Sequence, residues 1–254
     1  SDSVTAIVVG LGGVLSAVAM ILNALLSGLL GLLLGLLGLG GTPTKYVPPL
    51  PDPLRYLLPP DPVALGLPNR GTNLSINSGT VDLYPGVYTG GLNVGGSATV
   101  NLHTNADGSP GIYLLKGGGL TVSGSANVGT AAGETGGIMV FNAWSALSDA
   151  INIDSPGTVT LSPPSTGPYK GLTLFQARGS LLGGAGPTIN LTGYAGTKIT
   201  GTVYGAYAAC HCHGKGGGVL GGQHIVHSLS VDGAVNVNAS GQPVANTRQV
   251  GLVE

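Results

Sequence analysis

The densest group of chemically versatile side chains in the chain is Cys210-His211-Cys212-His213, followed by His224 and His227. Thiolate sulfur and imidazole nitrogen are the donors that suit zinc or copper. Along an extended strand, successive side chains face opposite ways, so Cys210 and Cys212 share one side and His211 and His213 the other. A single ion therefore does not take all four. The more reasonable donor set is Cys210 and Cys212 completed by His224 or His227 from the next strand. The spacing matches no standard zinc motif, and no Cys-x-x-Cys-His marks attached haem. A bridge between Cys210 and Cys212 is strained, because same-face neighbours on a strand lie roughly 6.5–7 Å apart. An intersubunit disulfide and no special role stay open beside the metal.

Nothing else in the sequence assembles into catalytic machinery. Solenoid enzymes that act on polysaccharides need paired carboxylates on one face. Here Asp82, Asp107, Glu134, Asp149, Asp154 and Asp232 are scattered through different segments, where turn or surface roles suit them. Gly95-Gly96 and Gly216-Gly217-Gly218 read as turns, since no Gly-Lys-Ser/Thr follows them as in a phosphate-binding loop. The expectation is a protein that is not an enzyme.

Composition narrows the class further. Only 7% of the 254 residues are charged and 43% are hydrophobic, so a buried core is affordable despite 47 glycines and 17 prolines. Nine Lys and Arg against ten Asp and Glu give a net charge of −1, which leaves no electrostatic footprint for nucleic acid.

The elements that must carry the Cys/His group are short and repeated. One half-unit reads apolar-polar-apolar: Leu74-Ser75-Ile76, Leu92-Asn93-Val94, Leu120-Thr121-Val122, Ile151-Asn152-Ile153, Ile189-Asn190-Leu191 and Leu229-Ser230-Val231. The other is a glycine followed by a β-prone run, as in Gly86-Val87-Tyr88, Gly111-Ile112-Tyr113-Leu114, Gly137-Ile138-Met139-Val140-Phe141, Gly171-Leu172-Thr173-Leu174-Phe175 and Gly201-Thr202-Val203-Tyr204. Period-two alternation marks half-buried strands. Unequal spacing with a steady local pattern points to a mainly β fold with a β-solenoid over residues 72–254, and a β-sandwich as the alternative. Stacking predicts inner columns through Leu92, Val94, Leu120, Val122, Ile151 and Ile153. It also predicts an outer polar ladder through Ser75, Asn93, Thr121, Asn152, Asn190 and Ser230.

Two segments precede this body. Residues 42–71 hold nine prolines, which exclude continuous helix or sheet, yet they also carry Leu50, Leu54, Tyr56, Leu57, Leu58, Val63 and Leu67. They read as an extended strap lying against a neighbouring surface. Residues 1–41 read as a long hydrophobic N-terminal α-helix, exceeding the roughly 20 residues that cross a bilayer. Its small residues Gly10, Gly13, Ala17, Ala24, Gly28, Gly31, Gly35 and Gly38 step mostly by threes and fours. Such a stripe lets backbones approach closely and suits packing against copies of the same helix. Retention of this apolar run after Ser1 suits either a membrane anchor or a cleavage just before it, as in prepilin-type processing.

The run Leu161-Ser162-Pro163-Pro164-Ser165-Thr166-Gly167-Pro168-Tyr169-Lys170-Gly171-Leu172-Thr173-Leu174-Phe175-Gln176 resembles a segment of bacterial surface proteins associated with Tad pili, the TadG-like group. Tyr84-Pro85-Gly86-Val87-Tyr88, Pro110-Gly111-Ile112-Tyr113-Leu114, Gly117-Gly118-Gly119-Leu120 and Gly201-Thr202-Val203-Tyr204 fit the same pattern, so the resemblance spans roughly Leu74 to Val237. It implies an exported, repeat-rich β domain joined to a hydrophobic N-terminal segment. The function expected is a structural subunit of an extracellular or cell-surface bacterial filament. Its partners are copies of itself in a helical polymer, with a membrane during export. A membrane-anchored adhesin or glycan-binding protein is the alternative.

Overall fold

The computed structural model describes residues 51–179, 185–237 and 245. The helical stem expected over residues 1–41, with its stripe from Gly10 to Gly38, lies outside them. Among the described residues there are fifteen strands and no helix, hence none long and apolar enough to cross a membrane.

The strands fall into three rows, and every pairing is parallel. The first row is carried by β1 (Asn69–Ile76), β3 (Gly86–Val94), β5 (Gly111–Lys116), β8 (Ile138–Ala143), β11 (Leu172–Gln176), β14 (Thr202–Leu220) and β15 (Gln223–Asn236). The second uses the later parts of β1 and β3, then β6 (Leu120–Ser123), β9 (Ile151–Asp154), β12 (Ile189–Gly193) and the middle of β14 and β15. The third holds β2 (Thr80–Leu83), β4 (Thr99–Leu102), β7 (Asn127–Thr130), β10 (Val159–Leu161), β13 (Thr197–Ile199) and the end of β14.

These pairings correct the expected fold class. β3 and β14 each pair in two rows, so the path β3–β5–β8–β11–β14–β12–β9–β6 returns to β3. Eight parallel strands thus form a closed barrel with further strands attached, neither a β-solenoid nor a β-sandwich. The physical reason lies in the glycine bends. Gly90 and Gly91 lie inside β3, so a single strand bends there and pairs with β5 before the bend and with β6 after it.

Local patterning is carried through into register. Leu92, Leu120, Ile151 and Ile189 are direct neighbours across successive strands, as are Val94, Val122, Ile153 and Leu191. All eight are buried in the interior cluster. Each such side chain removed from water contributes about 1.5–3 kcal/mol. Between these columns Ser75, Asn93, Thr121, Asn152 and Asn190 pair in sequence on the outer side, with Asn190 Nδ2 2.5 Å from Asn152 Oδ1. His211 fills the rung between Asn190 and Ser230.

The first row differs because both its sides are covered. β8 and β11 bury almost every residue, which is why Ile138-Met139-Val140-Phe141 shows no alternation. Val140 and Leu174 point inward, whereas Phe141 and Phe175 belong to a second cluster with Leu54, Tyr169 and Tyr204. Residues 51–68 lie over that outer face, so the neighbouring surface expected for the strap belongs to the chain's own barrel.

The corner glycines are required by backbone proximity. Gly118 has φ +70°, and a Cβ there would sit 2.0 Å from the carbonyl oxygen of Gly90. Gly118→Ala should therefore cost more than about 2 kcal/mol, combining left-handed strain with a backbone clash. Gly108→Ala, with φ +76° but open space around it, should cost only about 1 kcal/mol. Urea unfolding of the two variants checks the difference.

Candidate functional site

Three polar constellations interrupt the apolar body, and the sequence reading anticipated only one of them. That one is the Cys/His group. Cys210 and Cys212 sit mid-way along β14, facing inward in the two columns that otherwise hold Ile189 and Leu191. They are 0% and 1% exposed. His211 and His213 face outward on the same strand, and His213 Nδ1 meets the Asp232 carboxylate. The two sulfurs are 3.9 Å apart, and His224 Nε2 lies 3.7 Å from Cys212 Sγ. His227 is exposed and takes no part. The structure thus assembles Cys210, Cys212 and His224, with all donor atoms within 4.8 Å of one another, and leaves His227 out.

The electrostatics of the trio are asymmetric. A hydrogen bond from Cys210 stabilises the Cys212 thiolate, His224 adds to it, and together they outweigh burial and draw the Cys212 thiol down. Cys210 moves the other way, because it supplies that hydrogen bond and is itself buried. His224 Nδ1 is buried with no hydrogen-bond partner. The ring is therefore positioned by what its Nε2 faces.

The second constellation fastens the strap. Asp52 Oδ1 accepts a hydrogen bond from the Leu54 backbone at 2.9 Å, closing a turn. Its Oδ2 accepts one from Tyr204 Oη at 2.6 Å and one from Arg178 Nε at 3.1 Å. Arg178 also donates through Nη1 to the Leu57 carbonyl at 2.8 Å and through Nη2 to that of Leu54. Its guanidinium lies 5.0 Å from the Tyr204 ring centre. Tyr169 Oη donates to the Leu58 carbonyl at 3.2 Å. Beside this clasp, a groove of about 590 Å³ opens between Pro59, Pro60 and Leu67 of the strap and Val87, Leu114 and Phe141 of the barrel.

The third lies beside an inner tyrosine of the first row, Tyr113, whose Oη donates to the carbonyls of Leu83 and His103. His103 donates to two carboxylates, with Nδ1 2.6 Å from Glu134 Oε1 and Nε2 3.2 Å from Asp82 Oδ1. The Tyr84 ring stacks on it at 4.6 Å. Asp82 and Glu134, far apart in sequence, are therefore brought to one imidazole, which corrects the expectation that the acids do not converge. The signal was faint: Asp82 pairs with Asn101, two residues before His103. Neither this group nor the clasp leaves a free nucleophile beside a base. Asp149, by contrast, caps the backbone of Ser145 and Ala146, a turn role.

No family model matches the chain, and no curated protein or solved structure is found to be similar to it.

Two consequences are measurable. Arg178→Ala removes every hydrogen bond the guanidinium gives the strap and leaves Asp52 without its cation, so it should destabilise by about 2–3 kcal/mol. Limited proteolysis should then cut within residues 51–68 first. At His103, burial opposes the charged ring, but hydrogen bonds to Glu134 and Asp82 prevail and raise its pKa above the ordinary 6.5. Burial likewise opposes the Glu134 carboxylate, but hydrogen bonds from Thr104 and His103 hold it below 4.5. The His103 contribution is complete below pH 6.5 and lost as pH rises through the raised value. The Glu134 contribution is complete above pH 4.5 and lost as pH falls through the lowered one. The cluster should therefore be tightest between those two values. An NMR titration should place His103 above 6.5, and Glu134→Gln should move it back down.

Proposed function

We propose that this chain is a non-catalytic structural subunit of an extracellular filament on a bacterial surface. Its first 41 residues are buried among copies of itself, and its barrel is displayed outside. The observation that carries this reading is the clasp between the strap and the barrel. An adhesin that searches for a ligand is served by a loose tether. A subunit that must take the same position in every repeat needs the chain leading into its displayed domain to be held fast. Asp52, Arg178 and Tyr204 hold it through charge-assisted and aromatic contacts rather than leaving Pro51–Leu67 as a spacer.

Two further features support the same reading. Residues 3–44 carry no charge, and their glycines and alanines recur at short intervals, a composition suited to close packing between chains. The strap turns Tyr56, Leu58 and Val63 outward, 80%, 77% and 88% exposed, where a neighbouring subunit would cover them. The bacterial surface location rests on the resemblance of Leu161–Gln176 and its companion runs to TadG-like proteins.

Electron microscopy of the native protein and of Gly31→Leu, Gly35→Leu and Arg178→Ala tests this. The native chain should form ordered filaments. The two leucine variants should fail to polymerise while the barrel still folds, and Arg178→Ala should give irregular polymers. Detergent-dependent monomers in every case, the native chain included, would make the anchored adhesin the better account.

A further inference from the structure

Three inner columns of the barrel change character at the same end. The column Leu92, Leu120, Ile151, Ile189 continues to Cys210, and the column Val94, Val122, Ile153, Leu191 continues to Cys212. A third runs through Tyr113, Val140, Leu174 and Val203 in the first row and continues to His224. Apolar side chains would serve at all three positions if packing were the only demand. Instead, three soft donors replace them at one level, and they converge.

We propose that Cys210 Sγ, Cys212 Sγ and His224 Nε2 bind one Zn²⁺ ion that fastens the last strand, β15, to β14. Zinc–sulfur bonds near 2.3 Å and a zinc–nitrogen bond near 2.0–2.1 Å, at tetrahedral angles, put sulfurs about 3.8 Å apart and sulfur about 3.6 Å from nitrogen. The observed separations are 3.9 Å and 3.7 Å. Two thiolates and a neutral imidazole cancel a dication, which suits a buried apolar setting, whereas a monovalent copper ion would leave a net negative charge there. Thiolate donors also select against the hard cations magnesium and calcium. Each thiol gives up its proton to solvent as its sulfur takes the metal.

The fourth position falls to water. In the next rung Leu229 and Val231, the neighbours of Cys210 and Cys212, are 45% and 48% exposed, so the buried site lies one strand in from solvent. The ion also has a mechanical place. The β14–β15 ladder lapses between Gly205–Val226 and Ala209–Ser228, where β14 carries extra residues at the corner. His224 lies before that lapse and the cysteines after it. A metal bond joins the two sides where hydrogen bonds do not.

The full chain, purified without chelator, should retain about one zinc per chain by elemental analysis, with both thiols unreactive until the metal is removed. Cobalt in its place should give thiolate-to-metal charge transfer and tetrahedral ligand-field bands. His224→Gln should weaken zinc binding by more than about 100-fold, the upper range for losing an outer-shell partner alone. His227→Gln should leave it within about twofold. Chelation should accelerate hydrogen exchange in residues 223–236 before the rest of the barrel. Cys212→Ser should abolish binding. If that variant does not fold, His224→Gln and the cobalt spectrum of the native chain decide. Freely reactive thiols without metal, a Cys210–Cys212 disulfide, retention of copper in preference to zinc, or equal losses from the two histidine variants would each overturn the assignment.

Discussion

Parallel hydrogen bonding in strict register is the constraint on which the rest of this molecule depends. Because every strand runs the same way, each inward side chain sits directly beside its counterpart on the neighbouring strand. A column must then be chemically uniform, or its odd member must be satisfied by some other contact. Leucine, isoleucine and valine keep most inner columns uniform, and asparagine, threonine and serine do the same outside. Where inner columns depart from uniformity, their odd members meet one another. Asn142 and Gln176, buried at 0% and 1% exposure, hydrogen-bond each other at 3.1 Å. The cysteines and His224 meet at the barrel's end.

The same register makes the corners demanding. Glycine stacks on glycine where the rows turn, because the carbonyls of one corner occupy the space a Cβ of the next would need. Gly91 meets the Gly119 carbonyl and Gly118 meets that of Gly90. At Gly90-Gly91 one strand bends and takes partners in two rows, and the ring of eight strands closes.

The strap depends on the outer side of the first row, and that row depends on the strap. Phe141, Phe175 and Tyr204 would be a large exposed aromatic surface without Leu54 and Leu57 over them. Arg178 links the two layers by giving its donors to strap carbonyls while its face rests on aromatic rings. Burial of Tyr204, more than its Asp52 partner, pushes its phenol pKa upward, so the hydroxyl stays a donor in the clasp. The segment that leads into the barrel is consequently part of its packing.

Much of this was legible in the residues themselves. Alternation in Leu92-Asn93-Val94 and its companions determined which side chains face inward, because a strand has period two whatever it pairs with. The opposed facing of Cys210 and His211 followed from the same rule. Three things were decided only by tertiary structure. Closure into a barrel depended on β3 and β14 continuing through their bends, which a glycine permits but does not dictate. The selection of His224 over His227 depended on which residue of β15 pairs with Val203, a register set by the corner at Gly205–Ala209. The meeting of Asp82 with Glu134 at His103 depended on third-row strands lying side by side. Local sequence determines the direction of a side chain, but contacts between residues tens of positions apart are determined by which strands become neighbours.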